Sequence, residues 1–154
     1  MTVRPEPQLT FAFEARVEVA PSLRIGRGEH EEVWFTPITG GTVEGPRLSG
    51  RVLPYGGDWS TTRAGETSLD ARYLLEAEDG AVIDILNVGF WRADPAVDAR
   101  VEAGEDVDES EYYYRTSPRF QTDAAAHAWL TRSVFVGMAR GEEGTVCIRF
   151  FELA

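Results

Sequence analysis

The sequence predicts an all-β protein, a single antiparallel β-barrel domain with one short helix. Three observations predict it. Apolar and polar residues alternate along residues 9–19, the period of a strand. Further short apolar-rich runs recur down the chain, punctuated by Gly- and Pro-containing turn signals. Asp79-Gly80 lies between two long strand-like runs, as in a β-hairpin. At 154 residues the chain is large enough to bury a core as one domain, residues 1–154.

In chain order, Leu9, Phe11, Phe13, Ala15, Val17 and Val19 alternate with Thr10, Ala12, Glu14, Arg16 and Glu18. Strands are then expected at 31–38, 47–53, 69–78, 81–91, 111–117, 133–140 and 145–153. The segments TGGTVEGP (39–46), PYGGD (54–58) and RGEEG (140–144) read as the turns between them. The segment 102–111 holds six acids in ten residues and reads as a mobile, solvated loop. One α-helix is expected near 123–131: Thr122 can N-cap it, Asp123 suits its positive end, and Ala124, Ala125 and Ala126 favour it.

Composition narrows the function. Hydrophobic residues at 43% and charged ones at 27% are ordinary for a globular protein. A net charge of −11 argues against nucleic acid and anionic membrane surfaces as partners. No apolar run approaches the roughly 20 residues that span a bilayer. The N-terminal MTVRPEPQLT lacks the apolar core of a signal peptide, and the single Cys147 has no partner for an internal disulfide. The cytoplasm is the expected compartment.

The most informative stretch is 69–92, LDARYLLEAEDGAVIDILNVGFWR. A two-residue turn at Asp79-Gly80 pairs Glu78 with Ala81 and Arg72 with Asn87. One face then carries Ala71, Tyr73, Leu75, Ala77, Val82, Asp84, Leu86, Val88 and Phe90. The other carries Asp70, Arg72, Leu74, Glu76, Ile83, Ile85, Asn87 and Trp91. Neither face is simply solvent-like, a mixture that suits the lining of a small-molecule cavity.

Several blocks together resemble a known family: TGGTVEGP at 39–46, VLPYGGDW at 52–59, LDARY at 69–73, the Asp79-Gly80 turn, YYRTSPRFQT at 113–122 and Trp129-Leu130. In this order and over nearly the whole chain they are similar to the DUF3237 (UPF0311) family. Where family members often read PGG-x-DW and WLN, this chain has PYGGDW and Trp129-Leu130-Thr131. The resemblance implies a closed or nearly closed barrel of lipocalin (calycin-like) type with a short helix. It implies no particular activity.

Candidate site residues follow from the chemistry of the side chains. Asp58 and Trp59 follow a Gly-Gly bend, where the carboxylate can act as a base and the indole as a stacking wall; an Asx turn with a Trp plug is the structural alternative. Asp70, Arg72 and Asn87 share a face on which Arg72 would bind a ligand carbonyl or carboxylate, unless Asp70 and Arg72 pair on the outside. Asp84 interrupts the opposite face, where burial would raise its pKa, and Tyr73 beside it could donate its hydroxyl. Tyr113 and Arg115 project from one face of a Tyr-rich strand, Tyr112 and Tyr114 from the other. Asp58, Arg72 and Asp84 are thus the candidate catalytic residues; Trp59, Asp70, Tyr73, Asn87, Tyr113 and Arg115 are candidate ligand contacts, with the Arg72 face favoured as the inner one.

No metal or other cofactor is expected. His30 and His127 are isolated, Asp123 and His127 read as an i, i+4 helix pair, and there is no metal-ligand spacing, P-loop or nucleophile elbow. The expected function is binding of a small apolar or aromatic oxygenated molecule. Catalysis, if present, would be cofactor-free acid–base isomerisation, cyclisation, dehydration or lyase cleavage. The alternative is a non-catalytic module whose partly apolar outer wall joins a second copy in a homodimer.

Overall fold

A computed structural model describes residues 1–154 as nine strands: β1 (Leu9–Val19), β2 (Leu23–Arg27), β3 (Glu32–Glu44), β4 (Gly50–Arg63), β5 (Glu66–Ala77), β6 (Val82–Arg92), β7 (Tyr113–Gln121), β8 (Val134–Glu142) and β9 (Thr145–Leu153). Neighbouring strands run β1-β9-β8-β7-β6-β5-β4-β3-β2, and β1 also pairs with β3. Eight strands therefore close an antiparallel barrel, and β2 is an extra strand on β3. The first half of β3 pairs with β2 from Glu32 to Phe35; the second half pairs with β1 from Ile38 to Glu44. All pairings are antiparallel, as short connections allow.

The long strands require irregularities that the alternation of residues does not reveal. In β1 the register shifts between Phe11 and Phe13, so Phe13, Ala15 and Val17 point into the core while Leu9 and Phe11 stay exposed. The Gly-rich segments 39–46 and 54–58, expected as turns, lie within or overlap β3 and β4 instead. From Val52 to Gly56 is four residues, while their partners Leu75 and Tyr73 are two apart, so β4 carries two extra residues. Glycine makes this possible. Gly56 has φ +83°, and a Cβ there would run into the Arg72 carbonyl oxygen; Gly41, at φ +139°, lies similarly against the Arg16 carbonyl.

The β5–β6 hairpin differs from the expected two-residue turn by one position. Gly80 N–H donates to the Ala77 carbonyl and Ala77 N–H to the Ala81 carbonyl, both at 2.9 Å. Glu78, Asp79 and Gly80 thus form a three-residue loop ending in a glycine at φ +86°, the type I turn plus bulge that such loops favour. Leu75 faces Ile83 and Arg72 faces Leu86. The slip transfers every β6 side chain to the other face relative to β5.

The lumen is filled at one end. Phe13, Phe120, Phe135 and Phe150 pack edge-on or tilted with centroids 5.0–5.9 Å apart, and buried Leu75, Ile83 and Ile85 join the same core. Under this end lies Ala125–Thr131, which is a 3-10 helix and not the expected α-helix. Its seven residues bridge two fixed strand ends, a setting that favours the tighter form. Leu130 is buried, and Trp129 packs on Phe135 beneath the Arg47 guanidinium. His127 Nε2 meets Asp79 Oδ2 at 2.8 Å, so its partner is the hairpin turn and not Asp123.

Over the other end runs α1 (Pro95–Glu102) and a 3-10 turn at Glu109–Glu111. Trp91 Nε1 donates to Asp98 at 2.9 Å, and Arg100 bridges Glu105 and Glu111. Val107 is buried and Arg149 reaches Glu109. The acid-rich segment, expected as a mobile loop, is instead tied to α1 by Arg100 and to the barrel by Arg149, with Val107 as an apolar anchor. No helix is long and apolar enough to cross a membrane.

Gly56→Ala should cost about 2–4 kcal/mol in urea unfolding, because it combines a positive φ with a backbone collision. Gly65→Ala, with φ +79° but open space around it, should cost only about 1 kcal/mol.

Candidate active site

Above the phenylalanine layer the inward positions turn polar. Gly56 and Gly57 carry β4 past Tyr73 and Arg72, and Asp58 then faces Ala71 with its carboxyl inside the barrel. Its Oδ1 accepts the Asp70 N–H at 2.9 Å. Tyr73 of β5, Asn87 of β6, and Tyr114 and Thr116 of β7 line the same cavity of about 120 Å³, with Thr36 and apolar walls including Ile38, Leu69 and Ala71. Tyr73 and Asn87 are 3% exposed and Thr116 6%.

Three buried polar atoms here have no hydrogen-bond partner: Tyr73 Oη, Asn87 Oδ1 and Thr116 Oγ1. Each such orphan costs roughly 1–3 kcal/mol, and native proteins contain few. All three line one cavity.

Burial raises the Asp58 carboxyl to about 6; the Asp70 N–H opposes this and the Asp70 carboxylate adds to it. Asp58 thus exchanges its proton in the range useful for acid–base chemistry near neutrality. Burial pushes the Tyr73 phenol far above its ordinary value, offset in part by the Asn87 amide beside it and reinforced by Asp58. Tyr114 is raised by burial and by the charges of Asp58 and its tyrosine neighbours. Both phenols therefore stay protonated and serve as donors. The chamber offers one proton-transfer group, two phenolic donors, a hydroxyl and an amide among apolar walls. No three His, Cys, Asp or Glu side chains converge as a metal would require. Cys147 is buried and free.

Of the candidate residues, Asp58, Tyr73 and Asn87 meet in this chamber. The favoured inner face of Asp70, Arg72 and Asn87 is corrected by the hairpin register, which separates Asn87 from the other two. Arg72 and Asp84 instead form an ion pair on the outside, Nη2 to Oδ2 at 2.8 Å. Asp70 is exposed, and its contribution to the chamber is a backbone N–H. Trp59 is 47% exposed and stacks on Phe35 with centroids 4.6 Å apart on the outer wall. Tyr113 and Arg115 also face outward, Tyr113 beneath the Arg92 guanidinium. Tyr114 and Thr116 are the inward residues that went unselected. Their signal was present: in 116–121, Thr116, Pro118 and Phe120 alternate with Ser117, Arg119 and Gln121, a phase that turns Tyr114 inward.

The fold and site define a class, a closed β-barrel whose lumen is packed at one end and polar at the other. Within that class the chain belongs to the DUF3237 family, described as a protein of unknown function, whose model matches residues 7–153. A UPF0311 protein of Rhodopseudomonas palustris is 37% identical over 150 residues, 96% of each chain. The crystal structure of a conserved protein of unknown function from the same species superposes with a TM-score of 0.91 at 31% identity, covering 98% of this chain and all of the other. A β-barrel-like protein from Acinetobacter baumannii gives a TM-score of 0.86 at 32% identity over the whole of both chains. The hydroalkoxylation enzyme phnH of Penicillium herquei is 32% identical over 79 residues, 50% of this chain and 52% of phnH.

Two stability measurements test this geometry. An Asp58 whose folded pKa is raised costs no stability well below pH 3.8, where both states are protonated. The cost grows as pH rises from 4 to 6 and is complete above 6. Asp58→Asn should therefore be more stable than the parent at pH 8, by on the order of 1–3 kcal/mol, and converge with it as pH falls well below 3.8. Tyr73→Phe removes an unpaired buried hydroxyl and should stabilise the ligand-free protein by about 1 kcal/mol in chemical denaturation.

Proposed function

We propose that the chamber binds an oxygenated apolar or aromatic small molecule and transforms it by cofactor-free acid–base chemistry, with Asp58 moving the proton. The observation that carries this reading is the convergence of three unpartnered buried polar groups and a carboxyl titrating near neutrality on one cavity. The similarity to a hydroalkoxylation enzyme over half the chain supports addition of a hydroxyl across an alkene as the reaction type. The balance is simple. Protonated Asp58 gives its proton to one alkene carbon, the substrate's own hydroxyl oxygen bonds to the other, and the hydroxyl proton returns to the Asp58 carboxylate. The product is an isomer of the substrate and nothing is oxidised or reduced. The unpartnered oxygens of Tyr73, Asn87 and Thr116 can accept the hydrogen bond of the substrate hydroxyl and so hold its oxygen toward the alkene, with Tyr114 beside them.

The test uses 2-prenylphenol, whose ring closure gives 2,2-dimethylchroman. Turnover above the buffer rate should fall as pH rises through about 6, where Asp58 loses its proton, and should drop by about 100-fold or more in Asp58→Asn. Arg72→Met, which breaks only the outer ion pair, should leave both binding and turnover unchanged. Binding without turnover would support a carrier over an enzyme, and neither binding nor turnover would sink the reading.

The outer wall favours a second role beside the first, contact with another copy of the chain. Val82, Leu86, Val88 and Phe90 lie exposed along the outer face of β6, with Phe90 60% exposed. Light scattering should then give a dimer that Phe90→Glu converts to a monomer; a monomeric parent protein would remove this role.

A further inference from the structure

A second cavity of about 540 Å³ lies against the polar chamber and shares Val19, Tyr114 and Val146 with it. The two differ in kind. The inner chamber is smaller than the roughly 300–1,000 Å³ of small-molecule sites, whereas the outer one falls within that range. The outer walls are aromatic and aliphatic. Trp91 stacks on Tyr112 with centroids 4.5 Å apart at 34°, and Tyr114 meets Trp91 edge-on at 5.5 Å. Val101 and Val107 from the α1 excursion face them. The polar ends of both rings are already engaged: Trp91 Nε1 donates to Asp98, and Tyr112 Oη accepts from the Gly141 N–H. The rings therefore offer apolar surface to an occupant and few hydrogen bonds.

The charged side chains that line this space all have one sign. No arginine or histidine lines either cavity, and the chain contains no lysine. Glu105, Asp106, Glu142 and Glu143 border the outer cavity. Arg100 pairs with Glu105, and Arg16 and Arg140 with Glu142. Asp106 and Glu143 have no such partner. A carboxylate or phosphate entering here would lose its hydration, gain no cation and meet the field of those two acids.

We infer that the outer cavity is the subsite for the body of the substrate, an uncharged aromatic ring system, and that it rejects anionic compounds of the same shape. A short oxygenated arm of that molecule reaches past Tyr114 into the inner chamber. This rests on the inner chamber being the reaction site, and it adds the size and charge class of what is bound. Discrimination against anions comes from missing cations as much as from the acids, so it persists when salt screens the rim.

Three probes test it by titration calorimetry at pH 8: phenol for the inner chamber, and 1-naphthaleneacetamide and 1-naphthaleneacetate as an isosteric neutral and anionic pair. The amide should bind at least tenfold more tightly than the acetate, and at least tenfold more tightly than phenol. Val101→Trp fills the outer cavity from a position 39% exposed, so it should weaken amide binding at least tenfold and leave phenol binding unchanged. Thr145→Trp fills it from the opposite wall and should do the same if Val101→Trp fails to fold. Equal affinity for amide and acetate, or amide binding indifferent to both fillings, would overturn the inference while phenol binding still supports the inner site. Loss of phenol binding alone would instead count against the reaction chamber. If the amide does not bind at all while phenol does, the outer subsite is refuted.

Discussion

Ala77 and Ala81 share a backbone hydrogen bond across Glu78, Asp79 and Gly80, and this closure fixes which side chains of β5 and β6 face each other. Asp79 holds the loop from two directions, through the Ala81 N–H and through His127 on the 3-10 helix beneath the barrel. Because side chains alternate with period two, a slip of one residue would exchange the entire inner set of β6 for its outer set. Val82, Asp84, Leu86 and Val88 would then enter the lumen, and Ile83, Ile85 and Asn87 would leave it. In the two-residue register the phenylalanine layer would lose its isoleucines and receive Asp84 opposite Leu75, while the chamber would lose its amide and place Leu86 opposite Tyr73. Both the filled end and the polar end of the barrel depend on that turn.

The polar end is organised against the interest of stability. Tyr73, Asn87 and Thr116 each keep an unpartnered polar atom in the interior, and Asp58 is held where its charged form is disfavoured. Apolar substitutes of the same shape would pack as well and leave no orphans. The bend in β4, with glycine at position 56 where Cβ would strike Arg72, is what brings Asp58 alongside them. Irregular backbone, raised pKa and unsatisfied groups thus occur together at this end of the barrel.

Much of this was legible in the chain. The barrel follows from the alternation in β1, the spacing of strands and the blocks shared with the DUF3237 family. Asp58, Tyr73 and Asn87 stand out as polar groups beside apolar neighbours. What could not be read was phase. Asp-Gly serves a two-residue turn, yet here it closes a three-residue one, because Gly80 supplies the single positive φ that the bulged form needs. The same loss of phase occurs in β1 after Phe11, where one extra residue shifts the register; the two extra residues of β4 after Val52 shift its register by an even number and keep Asp58 on the face of Val52. A two-residue turn would put Arg72 and Asp84 on opposite faces; the three-residue loop lets them pair on one. The long-range partner of His127 was beyond reach, since Asp79 lies 48 residues away. Tyr114 and Thr116 were recoverable from the alternation that follows them, which ends on the buried Phe120.

The site is built around Asp58 lying within the lumen as a carboxyl that burial has made a weaker acid. Its side-chain carbon can be followed by NMR in protein labelled with 13C at aspartate, assigned by loss of one resonance in Asp58→Asn. A titration midpoint near 6 is expected. A midpoint near 3.8, the ordinary aspartate value, would place this carboxylate in water and contradict the site built around it.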